Sequence, residues 1–160
     1  MTVSFRRMTD EEYEVFYRWS VRNQAEELAE ELKMSIDRAM AEAEKEIGEM
    51  LPQGKDSENS QLMTVLADEE NVGFIWFLYE GTEGRRQCFL CELAIWEKYR
   101  RKGYGQSALQ FMEEKAGEDG IRECVLFVRN DNQEAVKLYE KCGYHVLREH
   151  GYGRYMNKTL

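Results

Sequence analysis

Residues 93–105 read LAIWEKYRRKGYG, and this stretch decides how the rest of the chain is interpreted. An apolar strand ends near Trp96, a basic run follows, and two glycines lead into a helix predicted over residues 105–116. Because the N-terminus of a helix carries unpaired backbone N–H groups and the positive end of the helix dipole, this turn suits an anion. Gly103 and Gly105 allow the backbone to approach a phosphate closely. The stretch therefore predicts a phosphate-binding turn between a strand and a helix.

A glycine-rich turn is a weak signal by itself, because Gly105 also suits close packing between helices. Runs of basic residues are usually only solvated surface. Two common nucleotide fingerprints are missing: Ala108 stands where GxGxxG needs its third glycine, and no GxxxxGK[ST] occurs. The turn thus predicts an anion site that is neither a dinucleotide nor a nucleoside triphosphate site of these kinds.

The pattern along the chain predicts an α/β fold of the mixed α+β kind. Helices are predicted after Thr9, after Ser35 and over residues 105–116 and 133–142. Strands are predicted near residues 3–7, 62–67, 72–79, 88–96, 123–128, 145–148 and 154–159. This order gives a mixed sheet with helices on its faces. With 160 residues and no linker or repeat, the chain is predicted to be a single domain over residues 1–160.

The charge of the chain is unevenly distributed. The formal net charge is -9, and residues 10–51 contain 13 acidic but only 5 basic residues. An acidic surface argues against nucleic-acid binding, which requires a basic face. No apolar run approaches the roughly 20 residues of a membrane span, and no leader is evident, so we expect no membrane partner and a cytoplasmic location. The basic cluster at Lys98 and residues 100–102 favours a small anionic ligand.

The four cysteines do not predict a metal site or a disulfide framework. Cys88 and Cys91 have CxxC spacing, but side chains three apart on a strand point to opposite faces. No second CxxC occurs, and His145 and His150 lie far along the chain. We therefore expect four reduced thiols in the core and no bound metal.

A second motif begins 27 residues beyond Gly105, where residues 132–144 read NQEAVKLYEKCGY. Together the two motifs resemble the signatures of the GNAT N-acetyltransferases. Residues 100–105 match Arg/Gln-x-x-Gly-x-Gly/Ala, and residues 132–144 match Asn-x-x-Ala-x-x-Leu-Tyr-x-x-x-Gly-Phe/Tyr. Each signature has chance matches, whereas both in this order and spacing are specific. The resemblance implies a central, mostly antiparallel mixed sheet of about six or seven strands, with a splayed parallel pair and helices on both faces.

The resemblance also implies acetyl-CoA as the co-substrate. Its pyrophosphate would lie on the backbone amides of residues 100–105, and its pantetheine arm would add along the strand edge. The backbone N–H of Ile95 or a neighbour would polarise the thioester carbonyl. The implied cofactor-binding residues are Leu93, Ala94, Ile95, Arg100, Arg101, Lys102, Gly103, Tyr104, Gly105, Asn132 and Tyr139.

The implied reaction is direct attack of a neutral primary amine on the thioester, which requires an acid and a base. Tyr139 matches the family position of the acid, although its helical stripe is equally compatible with a core tyrosine. Where some protein-acetylating members carry a glutamate, this chain has Phe127. Glu92, a carboxylate among apolar neighbours, is therefore the candidate base, with a pKa that we expect burial to raise. A carboxylate at position 92 would also be explained if the residue lies on an exposed edge, forms a salt bridge or contacts a cationic substrate.

The acidic N-terminal helices favour a cationic acceptor such as a polyamine, an aminoglycoside-like molecule or a lysine, so the partner is a small-molecule or peptide amine. Four aromatic residues there either line the acceptor pocket or fill the core, namely Tyr13, Phe16, Tyr17 and Trp19. A non-catalytic acyl-CoA-binding regulatory module is the alternative function, and a different anion-binding α/β protein is a third. The sequence does not determine the oligomeric state, and the resemblance makes a homodimer possible because many family members dimerise through C-terminal strands.

Overall fold

The computed structural model describes residues 2–160 and confirms the predicted fold class. Within these residues a seven-stranded sheet with one parallel pair combines with four α-helices. The strands are β1 (Val3–Arg7), β2 (Ser60–Ala67), β3 (Glu70–Glu80), β4 (Gln87–Ile95), β5 (Glu123–Arg129), β6 (His145–His150) and β7 (Gly153–Thr159). The helices are α1 (Asp10–Leu32), α2 (Ile36–Met50), α3 (Tyr104–Glu118) and α4 (Gln133–Lys141).

The described chain forms two compact units. One spans residues 8–60 and contains α1 and α2, and the other carries the sheet with α3 and α4. The expectation of a single domain over the whole chain stays a prediction.

The first unit begins each helix at a residue that the sequence identified. The Thr9 hydroxyl accepts a hydrogen bond from the Glu12 amide at 3.1 Å, and the Glu12 carboxylate accepts one from the Thr9 amide at 2.9 Å. This is the predicted capping box. Ser35 caps α2 by accepting from the Arg38 amide at 3.3 Å. Both caps satisfy amides that the helix itself leaves unpaired.

Helices α1 and α2 bury apolar residues in their middle and expose them near their ends. Phe16 on α1 and Ile47 on α2 are buried, whereas Leu32 at the end of α1 is 61% exposed. Ile36 and Met50, at the two ends of α2, are 40% and 41% exposed.

The segment after α2, over residues 53–60, has ordered local structure. It contains a 3-10 turn at Gly54–Asp56 and a buried serine, Ser57. The Ser57 hydroxyl donates to the Gly54 carbonyl at 2.7 Å and accepts from the Gln53 amide at 3.0 Å. These local hydrogen bonds fold the segment back on itself.

The sheet has the strand order β1-β2-β3-β4-β5-β7-β6. The run from Val72 to Phe77 in β3 is buried at every position, as expected of a central strand covered on both faces. Helix α3 contributes Ala108, Leu109 and Met112 to the main core. The Phe111 ring stacks on Phe5 of β1 with ring centroids 4.3 Å apart.

The four thiols are free. Cys88 and Cys124 are buried and lie opposite each other in β4 and β5. Cys91 and Cys142 are only half-buried, and Cys142 caps the C-terminus of α4 instead of lying within it as predicted. Across residues 2–160, no group of three or more potential metal-ligating side chains occurs, and no helix is long and apolar enough to cross a membrane.

Candidate active site

Strands β4 and β5 are parallel and separate toward their C-terminal ends. They pair over only three positions, with Cys88 opposite Cys124, Phe89 opposite Val125 and Leu90 opposite Leu126. Beyond these pairs β4 continues beside β3, and β5 continues beside β7. A gap therefore opens between residues 91–95 and residues 127–129, which is the splayed parallel pair predicted from the sequence.

A β-bulge in β4 lies where the two strands separate. Trp76 of β3 is opposite Glu92, but the next residue, Phe77, is opposite Leu90, so Cys91 is the extra residue. A bulge bends its strand and increases the local twist, and this one coincides with the end of the pairing between β4 and β5. The bulge was not predictable from the sequence, because residues 88–91 are all apolar and do not alternate with polar residues. The strict alternation assumed for Cys88 and Cys91 does not hold across the bulge.

The backbone of β4 presents alternate residues to the gap. The Trp96 amide donates to the Val72 carbonyl of β3 at 2.9 Å, so Trp96 faces β3. The backbone N–H and C=O groups of successive strand residues alternate in direction. Those of Ala94 therefore also point toward β3, whereas those of Leu93 and Ile95 point into the gap. The Ile95 carbonyl accepts from Arg100 Nε at 2.8 Å on that side. Of the three strand residues predicted to bind the cofactor, two, Leu93 and Ile95, thus direct their backbone groups into the gap.

The predicted phosphate-binding turn leads directly into α3. Arg101 and Gly103 adopt the left-handed conformation, with φ of 65° and 85°, and α3 begins at Tyr104. Its N-cap residue is Gly103, which forms no side-chain capping hydrogen bond. The basic side chains of residues 100–102 are exposed. An uncapped helix N-terminus behind an exposed basic run has the geometry of an anion site.

Gly105 has a packing role that the sequence left open. A Cβ at this position would lie 3.2 Å from Leu138 Cδ2 of α4, so glycine permits a close approach of the two helices. Tyr104 is buried, with 4% of its side chain exposed. The side-chain positions of residues 104 and 105 therefore serve packing, and a ligand would meet only their backbone.

The second motif lies beside the first. Asn132 caps α4, its side-chain oxygen accepting from the Ala135 amide at 3.2 Å. The Arg101 guanidinium lies 4.0 Å from the carboxylate of Glu134 in the first turn of α4. The starts of α3 and α4, at Tyr104 and Gln133, thus lie close together although 29 positions separate them along the chain.

Tyr139 is buried in the core and its ring centroid lies 6.1 Å from that of Tyr144. Burial raises the pKa of its phenol above the ordinary value, and the negative charge of Glu92 raises it further. The phenol is therefore protonated at neutral pH and has a proton available for a hydrogen bond. Glu92 itself is half-buried. The pKa of the Cys91 thiol is raised mainly by burial and, to a lesser extent, by the negative charge of Glu92. The two candidate catalytic residues thus lie within electrostatic reach of each other.

Phe127 marks the β5 side of the gap. It is 37% exposed, and its ring centroid lies 5.0 Å from that of Tyr155 on β7. The guanidinium carbon of Arg148 lies 4.5 Å from the centre of the Tyr155 ring. The sequence singled out Phe127 only as a missing glutamate and did not identify Tyr155 or Arg148, since strand register alone brings them together.

Comparisons with known proteins agree with this arrangement. A sequence model of the acetyltransferase (GNAT) family matches residues 26–144. YdgE of Bacillus subtilis strain 168, an uncharacterized N-acetyltransferase, is 32% identical over 145 residues, which cover 90% of this chain and 92% of YdgE. The chain belongs to the GNAT acetyltransferase family.

Solved structures have the same fold. The crystal structure of YycN from Bacillus subtilis, also an uncharacterized N-acetyltransferase, is 27% identical with a TM-score of 0.84 and covers 93% of this chain and 96% of its own. A PaiA N-acetyltransferase from Thermoplasma acidophilum, solved in complex with coenzyme A, is 19% identical with a TM-score of 0.74 over the full length of both chains. At that identity the second likeness concerns the fold alone.

Proposed function

We propose that this chain is an N-acetyltransferase that moves the acetyl group of acetyl-CoA to a primary amine. The observation that carries the proposal is the gap between β4 and β5, into which the backbone of Leu93 and Ile95 faces. At its end lies the uncapped α3, entered through the left-handed Gly103. Membership of the GNAT family supports the reaction, and a relative that binds coenzyme A in the same fold supports the donor.

The donor would bind mainly through backbone groups. Its pyrophosphate would accept hydrogen bonds from the amides of residues 100–105, and the exposed basic side chains there would attract it. Its pantetheine arm would pair with the free edge of β4 as an added strand. The N–H of Ile95 or Leu93 would then polarise the thioester carbonyl, stabilising the oxyanion that forms there. Asn132 would contact the donor from the start of α4.

The chemistry would be a single displacement. The neutral amine nitrogen attacks the carbonyl carbon, the C–S bond breaks, and its electron pair leaves with the thiolate. Glu92 takes the proton that the amine loses, directly or through water. Tyr139 donates to the departing sulfur. Burial raises the pKa of Tyr139, whereas an ordinary thiol has a pKa of about 8.5 and is the stronger acid. Tyr139 therefore stabilises the thiolate chiefly by donating a hydrogen bond to it.

We infer that the acceptor is a cationic small molecule or peptide amine, in keeping with the acidic excess over residues 10–51. A homodimer through the C-terminal strands also stays a prediction. The outer strand β6 is exposed along its length, including Val146 and Leu147 at 50% and 52%. Sedimentation at several protein concentrations would test it, and a monomer at all of them would remove it.

One observation favours a second function, an acyl-CoA-binding module without turnover. Phe127 places an aromatic ring where some family members carry a catalytic glutamate, so Glu92 is the remaining candidate base at the gap. If Glu92 serves only as a structural partner, the donor would bind but not react. Donor binding and acetyl transfer must therefore be measured separately.

The test uses purified protein in two steps. Titration calorimetry with acetyl-CoA measures donor binding, and release of free thiol is then followed across polyamines, aminoglycosides and lysine peptides. We expect micromolar binding and thiol release that depends on one class of amine. Binding without release by any amine would favour the regulatory module, and the absence of binding would overturn both functions.

A further inference from the structure

The start of β3 is hydrogen-bonded to the segment that precedes the turn at residues 100–105. Trp96 Nε1 donates to the side-chain oxygen of Asn71 at 3.1 Å, and the Tyr99 hydroxyl donates to the carboxylate of Glu70. Glu70, Asn71, Trp96 and Tyr99 are called the brace below. Both contacts join residues more than twenty positions apart, and they extend the pairing of β3 with β4 beyond the backbone hydrogen bond from the Trp96 amide to the Val72 carbonyl.

The β3 side of the brace is held rigidly. The Asn71 side-chain oxygen also accepts from the Gly73 amide at 3.1 Å, which fixes the orientation of the amide plane toward Trp96. In the turn before it, Asp68 and Glu69 adopt left-handed conformations with φ of 50° and 69°. Asn-Gly is the usual pair for such a turn, and other residues are strained there. The Asp68 amide and carboxylate bond to Thr2 at 2.9 and 3.1 Å, which holds this conformation.

The other side of the brace controls how the chain enters the phosphate-binding turn. Trp96 and Tyr99 stand at the two ends of a 3-10 turn, closed by a 2.8 Å hydrogen bond from the Tyr99 amide to the Trp96 carbonyl. Arg100 follows immediately, and its guanidinium donates to the Ile95 carbonyl at 2.8 Å. Fixing the indole and the phenol therefore fixes the 3-10 turn, the direction of residues 100–105 and the end of β4.

We propose that the brace positions the donor site, by holding the turn at residues 100–105 and the gap-facing end of β4 in the geometry that binds acetyl-CoA. The inference rests on the proposed function, because it assigns a role to residues outside the site. A site whose backbone is pre-organised loses less entropy when its ligand binds. Glu70 and Asn71 are exposed and the two aromatic residues are half-buried, so the brace contributes more to geometry than to burial.

The test compares variants that remove one donor group and retain an aromatic side chain, although Trp96→Phe also replaces the indole by a smaller ring. Trp96→Phe removes the indole N–H, Tyr99→Phe removes the hydroxyl, and the double variant removes both contacts. We expect the double variant to bind acetyl-CoA about fivefold to tenfold more weakly, with KM for acetyl-CoA raised by the same factor. At saturating donor, kcat should stay within about twofold, and the melting temperature should fall by only about 2 to 4 °C.

Two control variants separate positioning from general destabilisation. Tyr79→Phe removes a hydroxyl from the other end of β3, where it donates to Asp119 at 2.6 Å, and should leave donor affinity unchanged. Glu70→Gln keeps an acceptor for the Tyr99 hydroxyl and should also retain wild-type affinity. If the double variant lowers the melting temperature but binds acetyl-CoA like the wild type, the brace is only structural and the inference is wrong. If the wild type itself does not bind acetyl-CoA, the proposed function fails instead.

Discussion

Replacing Gly73 with alanine would insert a methyl group where the backbone of β4 lies close to β3. An ideal Cβ there would lie 2.1 Å from the carbonyl oxygen of Ala94 and 2.9 Å from Cα of Ile95. Both atoms belong to the backbone, so no side chain can rotate away to make room. The two strands would have to move apart by about 1 Å to restore ordinary van der Waals separation.

The cost of Gly73→Ala follows from this displacement. Inserting an extra group into a packed region costs about 1 to 3 kcal/mol. Separating the strands also stretches the hydrogen bond from the Trp96 amide to the Val72 carbonyl, now 2.9 Å, which adds about 1 kcal/mol if the bond is lost. We therefore expect a loss of about 3 kcal/mol, and a melting temperature lowered by about 6 to 12 °C for a chain of this size.

Thermal unfolding followed by circular dichroism measures this loss directly. The matched control is Gly117→Ala in α3, where an added Cβ meets no atom within 4 Å. Alanine there should stabilise the helix by roughly 0.5 to 1 kcal/mol. A Gly73→Ala protein that melts within about 2 °C of the wild type would refute the close-approach argument. In the folded variant acetyl-CoA should also bind more weakly, because the displaced atoms belong to the gap-facing end of β4.

Three further predictions concern the donor turn, the acid and a partly buried ion pair. Gly103→Ala should weaken acetyl-CoA binding about tenfold by calorimetry, because φ is 85° with no atom within 4 Å of an added Cβ, leaving only backbone strain of roughly 1 to 2 kcal/mol. Tyr139→Phe should lower kcat about a hundredfold with KM for acetyl-CoA nearly unchanged. Since the raised pKa keeps the phenol protonated, wild-type kcat should not fall between about pH 7 and 9 through its ionisation, and a phenol titrating there by tyrosinate absorbance would contradict this. Lys158→Met removes the ammonium 2.7 Å from Glu113, whose side chain is 12% exposed, and should cost about 1 to 3 kcal/mol in chemical unfolding. Lys115→Met, in a more exposed pair, should cost under about 0.5 kcal/mol, and equal losses would refute the distinction.

Features encoded by a few neighbouring residues were predictable from the sequence. The capping box at Thr9 and the cap at Ser35 appear where the pattern placed them. The strands and helices begin and end within about two or three residues of their predicted limits, as expected where turn residues mark the boundaries. Each of these signals depends on hydrogen bonds or packing within one or two helical turns or one hairpin.

Features that depend on register were not predictable. The extra residue at Cys91 is visible only in the pairing of β4 with β3, because an apolar run looks the same with or without a bulge. The contact of Phe127 with Tyr155 likewise arises from the pairing of β5 with β7, whose sequences carry no mark of each other. The same holds for the brace, in which Asn71 and Trp96 were turn and strand residues without an assigned role.

Some residues of the two signatures have structural roles that the resemblance alone does not reveal. Gly105 permits α3 to approach Leu138 of α4, and Asn132 caps α4. These roles are compatible with donor binding, since both bring helix N-termini to the same end of the gap. They also mean that a substitution at either residue would alter stability and binding together. Gly103, where an added Cβ would meet nothing, is the cleaner position for testing the anion site.

The division between backbone and side chain explains why this sequence indicates a donor but not an acceptor. The proposed donor contacts at Leu93, Ile95 and residues 100–105 are backbone groups, whose direction follows from strand register, glycine conformation and a helix start. This backbone geometry depends on a short pattern of residue types, and such a pattern can be recognised in a single sequence. Acceptor recognition would depend instead on side chains such as Glu92 and Phe127, which can change without disturbing the fold. The backbone features that define the family are the same whichever amine is used. The acceptor must therefore be identified by measuring acetyl transfer.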